Sequence, residues 1–197
     1  MEKRFQILMV CMGNICRSPT AHGVIRELVQ SRGLQARISV DSCGTHAYHV
    51  GDAPDSRSQQ HALRRGYDLS DLRARQVCAA DFGQADLILA MDAQNMALLR
   101  ERCPAEHQHK LQMLTDYCQH LQASAVPDPY YGGASGFAQV EEAQARISKL
   151  PLALPFATQL LPALSFDARK AFAIHAQGFQ QAAQNARGLS PRDKAFT

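Results

Sequence analysis

Short apolar runs alternate with amphipathic segments along the first part of the chain. Short, continuous and largely aliphatic runs are typical of buried strands, and helix starts are marked by capping residues such as Ser18 followed by Pro19. Strands are predicted at 5–10 ("FQILMV"), 37–43 ("RISVDSC"), 85–92 ("ADLILAMD") and 110–116 ("KLQMLTD"), and helices at 18–31, 56–65, 93–103 and 137–149.

This alternation of strands and helices predicts an α/β fold with a parallel sheet and helices on both of its faces. Ligands of such sheets bind beyond the carboxyl ends of the strands. The turn "CMGNICRSP" (11–19) follows the first predicted strand directly and therefore lies at that edge. We expect the functional site there.

Composition and charge narrow the function classes. The chain has 197 residues, a formal net charge of +3 and 46% hydrophobic residues, enough for one sizeable core. No dense lysine/arginine run predicts nucleic-acid binding, no apolar run is long enough to span a bilayer, and no secretory signal is recognisable. The six cysteines lack the paired spacing of a zinc site. We therefore expect reduced thiols, a cytoplasmic location, and neither metal nor cofactor.

The turn itself predicts an anion site. Gly13 and Asn14 can adopt left-handed backbone angles, and such a turn directs backbone N–H groups inward at a helix N-terminus. Arg17 can hold two oxygens of a tetrahedral oxyanion in its planar fork. A sulfur placed there, that of Cys11, is favoured as thiolate, and the Ser18 hydroxyl could donate to it.

The chemistry that follows is nucleophilic attack by Cys11 on phosphorus, which gives a cysteinyl-phosphate. Backbone amides and Arg17 would stabilise the equatorial oxygens of the transition state without a metal. A cysteine six residues before an arginine is, however, a common pattern, and by itself it favours an inert buried thiol.

The segment "VCMGNICRSP" resembles the signature of the low-molecular-weight protein tyrosine phosphatases. The similarity extends to "VDSCGTHAYHVGDAPD" (40–55), "LILAMDAQN" (87–95) and "PDPYYGG" (127–133), and covers about residues 5–145. It implies a flavodoxin-like three-layer sandwich with a four-stranded parallel sheet in the order 2-1-3-4. It also implies two-step hydrolysis of phosphomonoesters, with phosphotyrosine-containing proteins, among them a bacterial tyrosine kinase, as partners.

The resemblance implies a role for each candidate residue. Asp128 is the expected general acid and, in the second step, the base. Cys16 looks like a resolving cysteine that protects Cys11 through a reversible disulfide; the alternative is an inert thiol. The expected phosphate-binding loop consists of Met12, Gly13, Asn14, Ile15, Cys16, Arg17 and Ser18, the substrate wall of Tyr48, Tyr130 and Tyr131, and the supporting residues of Ser42 and Asp92.

Several of these roles have plainer alternatives. Tyr48 could simply pack under its own loop, and the Asp-Pro step at Asp128 could be only a turn. Asp92 is expected to cap the helix that follows it. His22 stands where the family commonly has glutamate, and Leu72 near a position that is often histidine. We expect His22 to lie on the surface of the first helix.

The resemblance ends near residue 146. Prolines at 151, 155 and 162 prevent one continuous helix there. The expected division is therefore a phosphatase domain at 1–149 and an atypical extension at 150–197 that is helical in part and has no assigned function.

Two other functions remain open. Thioredoxin-linked arsenate reduction would use the same oxyanion site, but it commonly needs two further cysteines around residues 75–90, where only Cys78 is found. A catalytically weak protein that binds oxyanions or senses redox state would lack a usable acid, a role for which Asp128 is available.

Overall fold

A computed structural model describes residues 3–117, 124–130 and Val140. The chain divides into two units, Met1–Leu150 and Pro151–Thr197, and the second lies wholly outside the described residues, as does the predicted helix at 137–149 apart from Val140. The strands are β1 (Phe5–Cys11), β2 (Ile38–Gly44), β3 (Leu87–Ala90) and β4 (Leu111–Met113), and the α-helices are α1 (Arg17–Ser31), α2 (Ser56–Arg64), α3 (Ala79–Gln84) and α4 (Ala93–Arg102), with 3-10 turns at Ala105–Lys110 and Leu114–Tyr117.

The sheet has the order β2-β1-β3-β4, and every pairing is parallel. The predicted order and fold class are confirmed. Val10 lies opposite Cys43 on one side and Ala90 on the other, so the carboxyl ends of the three strands meet at one edge. Cys11, the last residue of β1, pairs with Gly44 of β2.

The central position of β1 explains its unbroken apolar sequence. A strand covered on both faces of a parallel sheet has no solvent-facing positions. Ile7, Leu8, Met9 and Val10 are all fully buried. The nucleophile candidate is thus attached to a strand whose last five residues are all buried.

Helix α1 begins one residue before the predicted helix. Its N-cap is Cys16, whose side chain makes no capping hydrogen bond, so the predicted N-cap role of Ser18 is wrong. Ser18 lies in the first turn, where its hydroxyl turns back toward Cys11 and Asn14 instead. The helix ends as expected before Gly33, which has a φ of +66°.

Three elements depart further from the expectation. Strands β3 and β4 are four and three residues long, shorter than the strands predicted at 85–92 and 110–116. Helix α3 was not predicted. It runs over the six residues Ala79–Gln84, and the N–H of its N-cap residue, Cys78, donates to Asp81 Oδ2 at 2.8 Å.

In the described residues, no helix is both long and apolar enough to cross a bilayer.

Candidate active site

The turn between β1 and α1 curls around the sulfur of Cys11. Asn14 has a φ of 56°, the left-handed conformation predicted there, whereas Gly13 does not adopt it. The N–H of Asn14 points to Cys11 Sγ at 3.3 Å. The loop therefore turns at least one backbone donor inward, onto the nucleophile candidate.

Asn14 is held in this conformation from three directions. Its Nδ2 donates to Ser18 Oγ at 2.9 Å and to Ser42 Oγ at 3.0 Å. Its Oδ1 accepts the backbone N–H of Arg75 at 3.0 Å. A left-handed angle costs energy in a residue with a Cβ, and these side-chain contacts over-determine it.

Cys11 Sγ has polar neighbours although the residue is only 3% exposed. Ser18 Oγ lies 3.0 Å from it and is also 3.3 Å from the Cys43 carbonyl oxygen. The sulfur further lies at the N-terminal end of α1, where helix dipole and unsatisfied N–H groups favour negative charge. Hydrogen-bond donors and the partial positive charge of a helix N-terminus therefore surround the sulfur of Cys11.

Arg17 is fixed between two carboxylates. Its Nη1 lies 2.5 Å from Asp92 Oδ2 and 3.4 Å from the Val126 carbonyl oxygen, and its Nη2 lies 2.6 Å from Asp128 Oδ2. Asp92 is also the N-cap of α4, accepting the Asn95 N–H at 2.7 Å. The guanidinium therefore cannot rotate freely, and its N–H donors keep one orientation.

The loop opens into a pocket of about 190 Å³. Cys11, Arg17 and Asp128 all line it, together with Tyr48 and Tyr130. Among the residues proposed from the sequence, the nucleophile, the anion-binding arginine and the acid are thus brought to one cavity.

Comparison with known proteins agrees with this geometry. The family model of low molecular weight phosphotyrosine protein phosphatase matches residues 6–154. The chain belongs to this family. It is 41% identical over 138 residues to the Schizosaccharomyces pombe low molecular weight phosphotyrosine protein phosphatase (70% of this chain, 88% of the relative) and 39% identical over 140 residues to the human one (68% and 85%).

Solved structures of phosphatases share the fold. A crystal structure of protein tyrosine phosphatase from Entamoeba histolytica, with Hepes in its active site, matches with a TM-score of 0.71 and 39% identity, covering 74% of this chain and 92% of that one. The structure of YfkJ from Bacillus subtilis matches with a TM-score of 0.69 and 30% identity, covering 83% and 99%. The flavodoxin-like fold of the family is therefore that of this chain.

The aromatic residues of this phosphatase stand at the pocket mouth. Tyr48 is 73% exposed and stacks on His46, with ring centroids 5.1 Å apart, so the alternative that it packs under its loop is wrong. Tyr130 lies near His49, with centroids 6.4 Å apart. The sequence reasoning did not single out His49, which lines the pocket and is signalled only by its place next to Tyr48. Tyr131 lies outside the described residues.

Cys16 lines the same pocket and is buried. Burial raises the pKa of Cys16 to about 12, against the opposing effect of a hydrogen bond with Ser58. It is therefore a neutral thiol near neutral pH. Cys11, Cys16, Cys43, Cys78 and Cys103 are free thiols, and Cys118 lies outside the described residues.

His22 corrects one expectation. It is only 6% exposed, so the prediction of a surface residue is wrong. The imidazole packs inward because α1 is buried on nearly all sides of its first two turns, and its Nδ1 lies 3.4 Å from Ser42 Oγ. Burial lowers the pKa of His22 to about 4.

Two supporting residues of the phosphatase loop were missed. Besides its backbone bond to Asn14, Arg75 forms ion pairs with Asp41 and Asp81 at 2.8 and 2.9 Å, which anchor its segment behind the loop. A Cβ on Gly44 would lie 2.7 Å from the Met12 carbonyl oxygen. No local pattern marks Arg75, whereas the glycine directly after a predicted strand was a readable signal of close backbone approach.

Proposed function

We propose that this phosphatase hydrolyses phosphotyrosine and aryl phosphate monoesters through a cysteinyl-phosphate intermediate. The observation that supports it most is the position of Cys11 Sγ. It receives the Asn14 N–H at 3.3 Å, lies 3.0 Å from Ser18 Oγ, and faces a pocket shared with Arg17 and Asp128. An anionic sulfur beneath an anion-binding loop is what attack on phosphorus requires.

In the first step, the Cys11 thiolate forms a bond to phosphorus while the bond from phosphorus to the phenolic oxygen breaks. Asp128 donates a proton to the departing phenolate. Arg17 and the loop amides hold the equatorial oxygens, where charge is stabilised by donors already in place. The side chain of Asp128 is 37% exposed, so substrate and solvent can both reach it.

In the second step, Asp128, now a carboxylate, takes a proton from water as the water attacks phosphorus. The S–P bond breaks, releasing inorganic phosphate and regenerating the thiolate. Ser18 Oγ, 3.0 Å from the sulfur, is placed to donate a hydrogen bond to the leaving thiolate. The cycle consumes only the ester and water.

The aryl ring of the substrate would stand between Tyr48 and Tyr130, with Tyr131 as a further proposed wall. Aromatic contacts of this kind are worth about 1 kcal/mol each. The structure of Vibrio vulnificus Wzb in complex with benzylphosphonate (TM-score 0.64, 28% identity) supports a benzyl group as a suitable occupant of such a pocket.

Turnover of p-nitrophenyl phosphate, with trapping of the phosphoenzyme, tests the proposal. Wild-type protein should release phosphate and form a covalent phosphoryl adduct on Cys11, trapped by rapid denaturation, that Cys11→Ser cannot form. Cys78→Ser is the matched control, because this thiol is exposed and does not line the pocket. Full activity in Cys11→Ser would contradict the mechanism.

The same pair of variants distinguishes phosphate ester hydrolysis from the alternative function, arsenate reduction. Arsenate reduction with thioredoxin should be absent, and loss of a thioredoxin-linked turnover in Cys78→Ser would instead favour that alternative. A protein that binds phosphate without turning over any aryl phosphate would be the oxyanion-binding module.

We also propose that residues 1–149 suffice for the activity. The described residues that line the pocket all lie between Cys11 and Tyr130. A chain ending at Lys149 should keep the full-length kcat/KM for p-nitrophenyl phosphate within about a factor of two. The proposed partners are phosphotyrosine proteins, including a bacterial tyrosine kinase. The proposed compartment is the cytoplasm, because the nucleophile must stay reduced.

A further inference from the structure

A line of hydrogen bonds leads from the buried side of α1 to the nucleophile. His22 Nδ1 lies 3.4 Å from Ser42 Oγ, Asn14 Nδ2 donates to that same oxygen at 3.0 Å and to Ser18 Oγ at 2.9 Å, and Ser18 Oγ lies 3.0 Å from Cys11 Sγ. His22 is the one titratable side chain of this line besides the nucleophile. It has no part in the steps proposed above.

We propose that His22, as a neutral imidazole, is a positioning residue that keeps Asn14 and hence the anion-binding loop in its reactive shape. It would do so by accepting the hydroxyl hydrogen of Ser42. The inference rests on the proposed phosphatase function and deepens it.

A count of donors and acceptors supports a hydrogen bond in which the Ser42 hydroxyl donates to His22. Both hydrogens of Asn14 Nδ2 are used, one on Ser18 and one on Ser42. Ser42 Oγ therefore acts as an acceptor toward Asn14 and keeps one hydrogen of its own to donate. His22 Nδ1 is the partner within reach, and it can accept only when the ring is neutral with its proton on Nε2.

The surroundings keep His22 neutral. Burial, and next the positive charge of Arg26, lower the pKa of His22 to about 4, while Asp41 and Asp71 act in the opposite direction. Near neutral pH the acceptor is therefore present. As the pH falls toward 4 the ring gains a proton, Nδ1 becomes a donor, and Ser42 Oγ then faces two donors and loses its acceptor.

The consequence reaches the loop because Asn14 is strained. Its φ of 56° is held on one side by the Arg75 N–H and on the other by Ser18 and Ser42. If Ser42 Oγ loses its acceptor, its hydroxyl rotates and its contact with Asn14 weakens. The Asn14 N–H that points at Cys11 Sγ is then less well placed.

Four variants of the full-length chain test this. His22→Asn places a polar atom near the position of Nδ1 without a titrating group, whereas His22→Gln places one near Nε2. His22→Leu removes both. Val24→Ala, a buried position on the same helix outside the line of hydrogen bonds, is the control for general destabilisation. The readouts are the inhibition constant of inorganic phosphate, kcat and KM for p-nitrophenyl phosphate between pH 4 and 7, and Tm.

At pH 6, His22→Leu and His22→Gln should weaken phosphate inhibition and lower kcat/KM by roughly five- to tenfold, the worth of one net hydrogen bond. For His22→Asn, the phosphate inhibition constant and kcat/KM should stay within about twofold of wild type. Because asparagine does not titrate, this variant should also lose the part of the activity decrease at acidic pH that protonation of His22 causes. Val24→Ala should lower Tm while leaving the phosphate constant unchanged.

The inference is overturned if His22→Leu and His22→Gln bind phosphate like wild type, or if Val24→Ala weakens phosphate binding as much as they do. Should His22→Leu fail to fold, the comparison of His22→Asn with His22→Gln is decisive. Equal inhibition constants of phosphate for these two variants would reject the positioning role of His22. Phosphate binding measured calorimetrically keeps this test separate from the proposed function, which fails instead if the wild type binds phosphate but does not turn over the ester.

Discussion

Asp128 Oδ2 lies 2.6 Å from Nη2 of Arg17. The proposed proton donor is thus held by the same guanidinium that would bind the phosphoryl group. Acid and anion site are therefore aligned by one side chain.

Replacing Asp128 with asparagine should separate positioning from proton transfer. The amide oxygen can still accept from Arg17, but the side chain can no longer donate an acidic proton. We expect kcat/KM, which reports the step in which the phenol leaves, to fall by about 10²-fold for phenyl phosphate, whose leaving group needs protonation, and by clearly less for p-nitrophenyl phosphate. Rates over a series of substituted phenyl phosphates measure this. Equal losses across the series would contradict the role of general acid.

Asp92 should affect the orientation of Arg17 more than the stability of the fold. Asp92→Ser retains a good N-cap for α4 but is too short to reach the guanidinium, 2.5 Å from the present carboxylate. We expect a free energy of unfolding within about 1 kcal/mol of wild type and a kcat/KM lowered by about tenfold. Urea denaturation and steady-state kinetics check both. A variant with normal kinetics would show that Asp92 is not needed to orient Arg17.

Gly44 should not tolerate even one additional carbon. Its Cβ would lie 2.7 Å from the Met12 carbonyl oxygen and 3.2 Å from the Asn14 nitrogen, both backbone atoms that can move only by deforming the loop. We expect Gly44→Ala to be destabilised by about 1–3 kcal/mol and to lose most phosphate binding. Gly83→Ala, whose Cβ would come no closer than 3.9 Å to His107, is the control and should retain both. A fully active Gly44→Ala would mean that the loop shape is not critical.

Formation of a disulfide between an oxidised Cys11 and Cys16 should be slow at neutral pH. If Cys16 attacks an oxidised Cys11, only its thiolate reacts, and burial raises the pKa of Cys16 to about 12. As long as the pH is below that value, the thiolate fraction of Cys16 therefore increases as the pH rises. After treatment with peroxide, the rate of disulfide formation should increase steadily from pH 7 to 9, as measured by mass spectrometry of quenched samples. A rate independent of pH would exclude Cys16 as the limiting nucleophile.

The sequence predicts the sheet and its functional edge because both depend on strong local signals. The apolar run of residues 7–10 is the central strand, and the glycine- and asparagine-containing turn after it wraps the sulfur, with Asn14 at a φ of 56°. The contact of Asn14 with Ser42 joins positions 28 residues apart, and only the family resemblance gave Ser42 a supporting role.

Other features depend on tertiary contacts that no local pattern encodes. Ser18 has the composition of an N-cap, but the loop moves the helix start to Arg17 and uses the hydroxyl at the nucleophile. His22 has the polarity of a surface residue, but its place next to Ser42 arises from the packing of α1 on β2. Arg75 contacts Asn14 across 61 positions of sequence. These residues become recognisable only once the elements are assembled.

Cys11 is the last residue of a strand with a neighbour on each side. Its backbone is therefore anchored in the part of the sheet that opens only when the whole unit unfolds. Reactivity and cooperative folding are thus tied to the same strand, and a mutation that loosens β1 is expected to impair both turnover and stability.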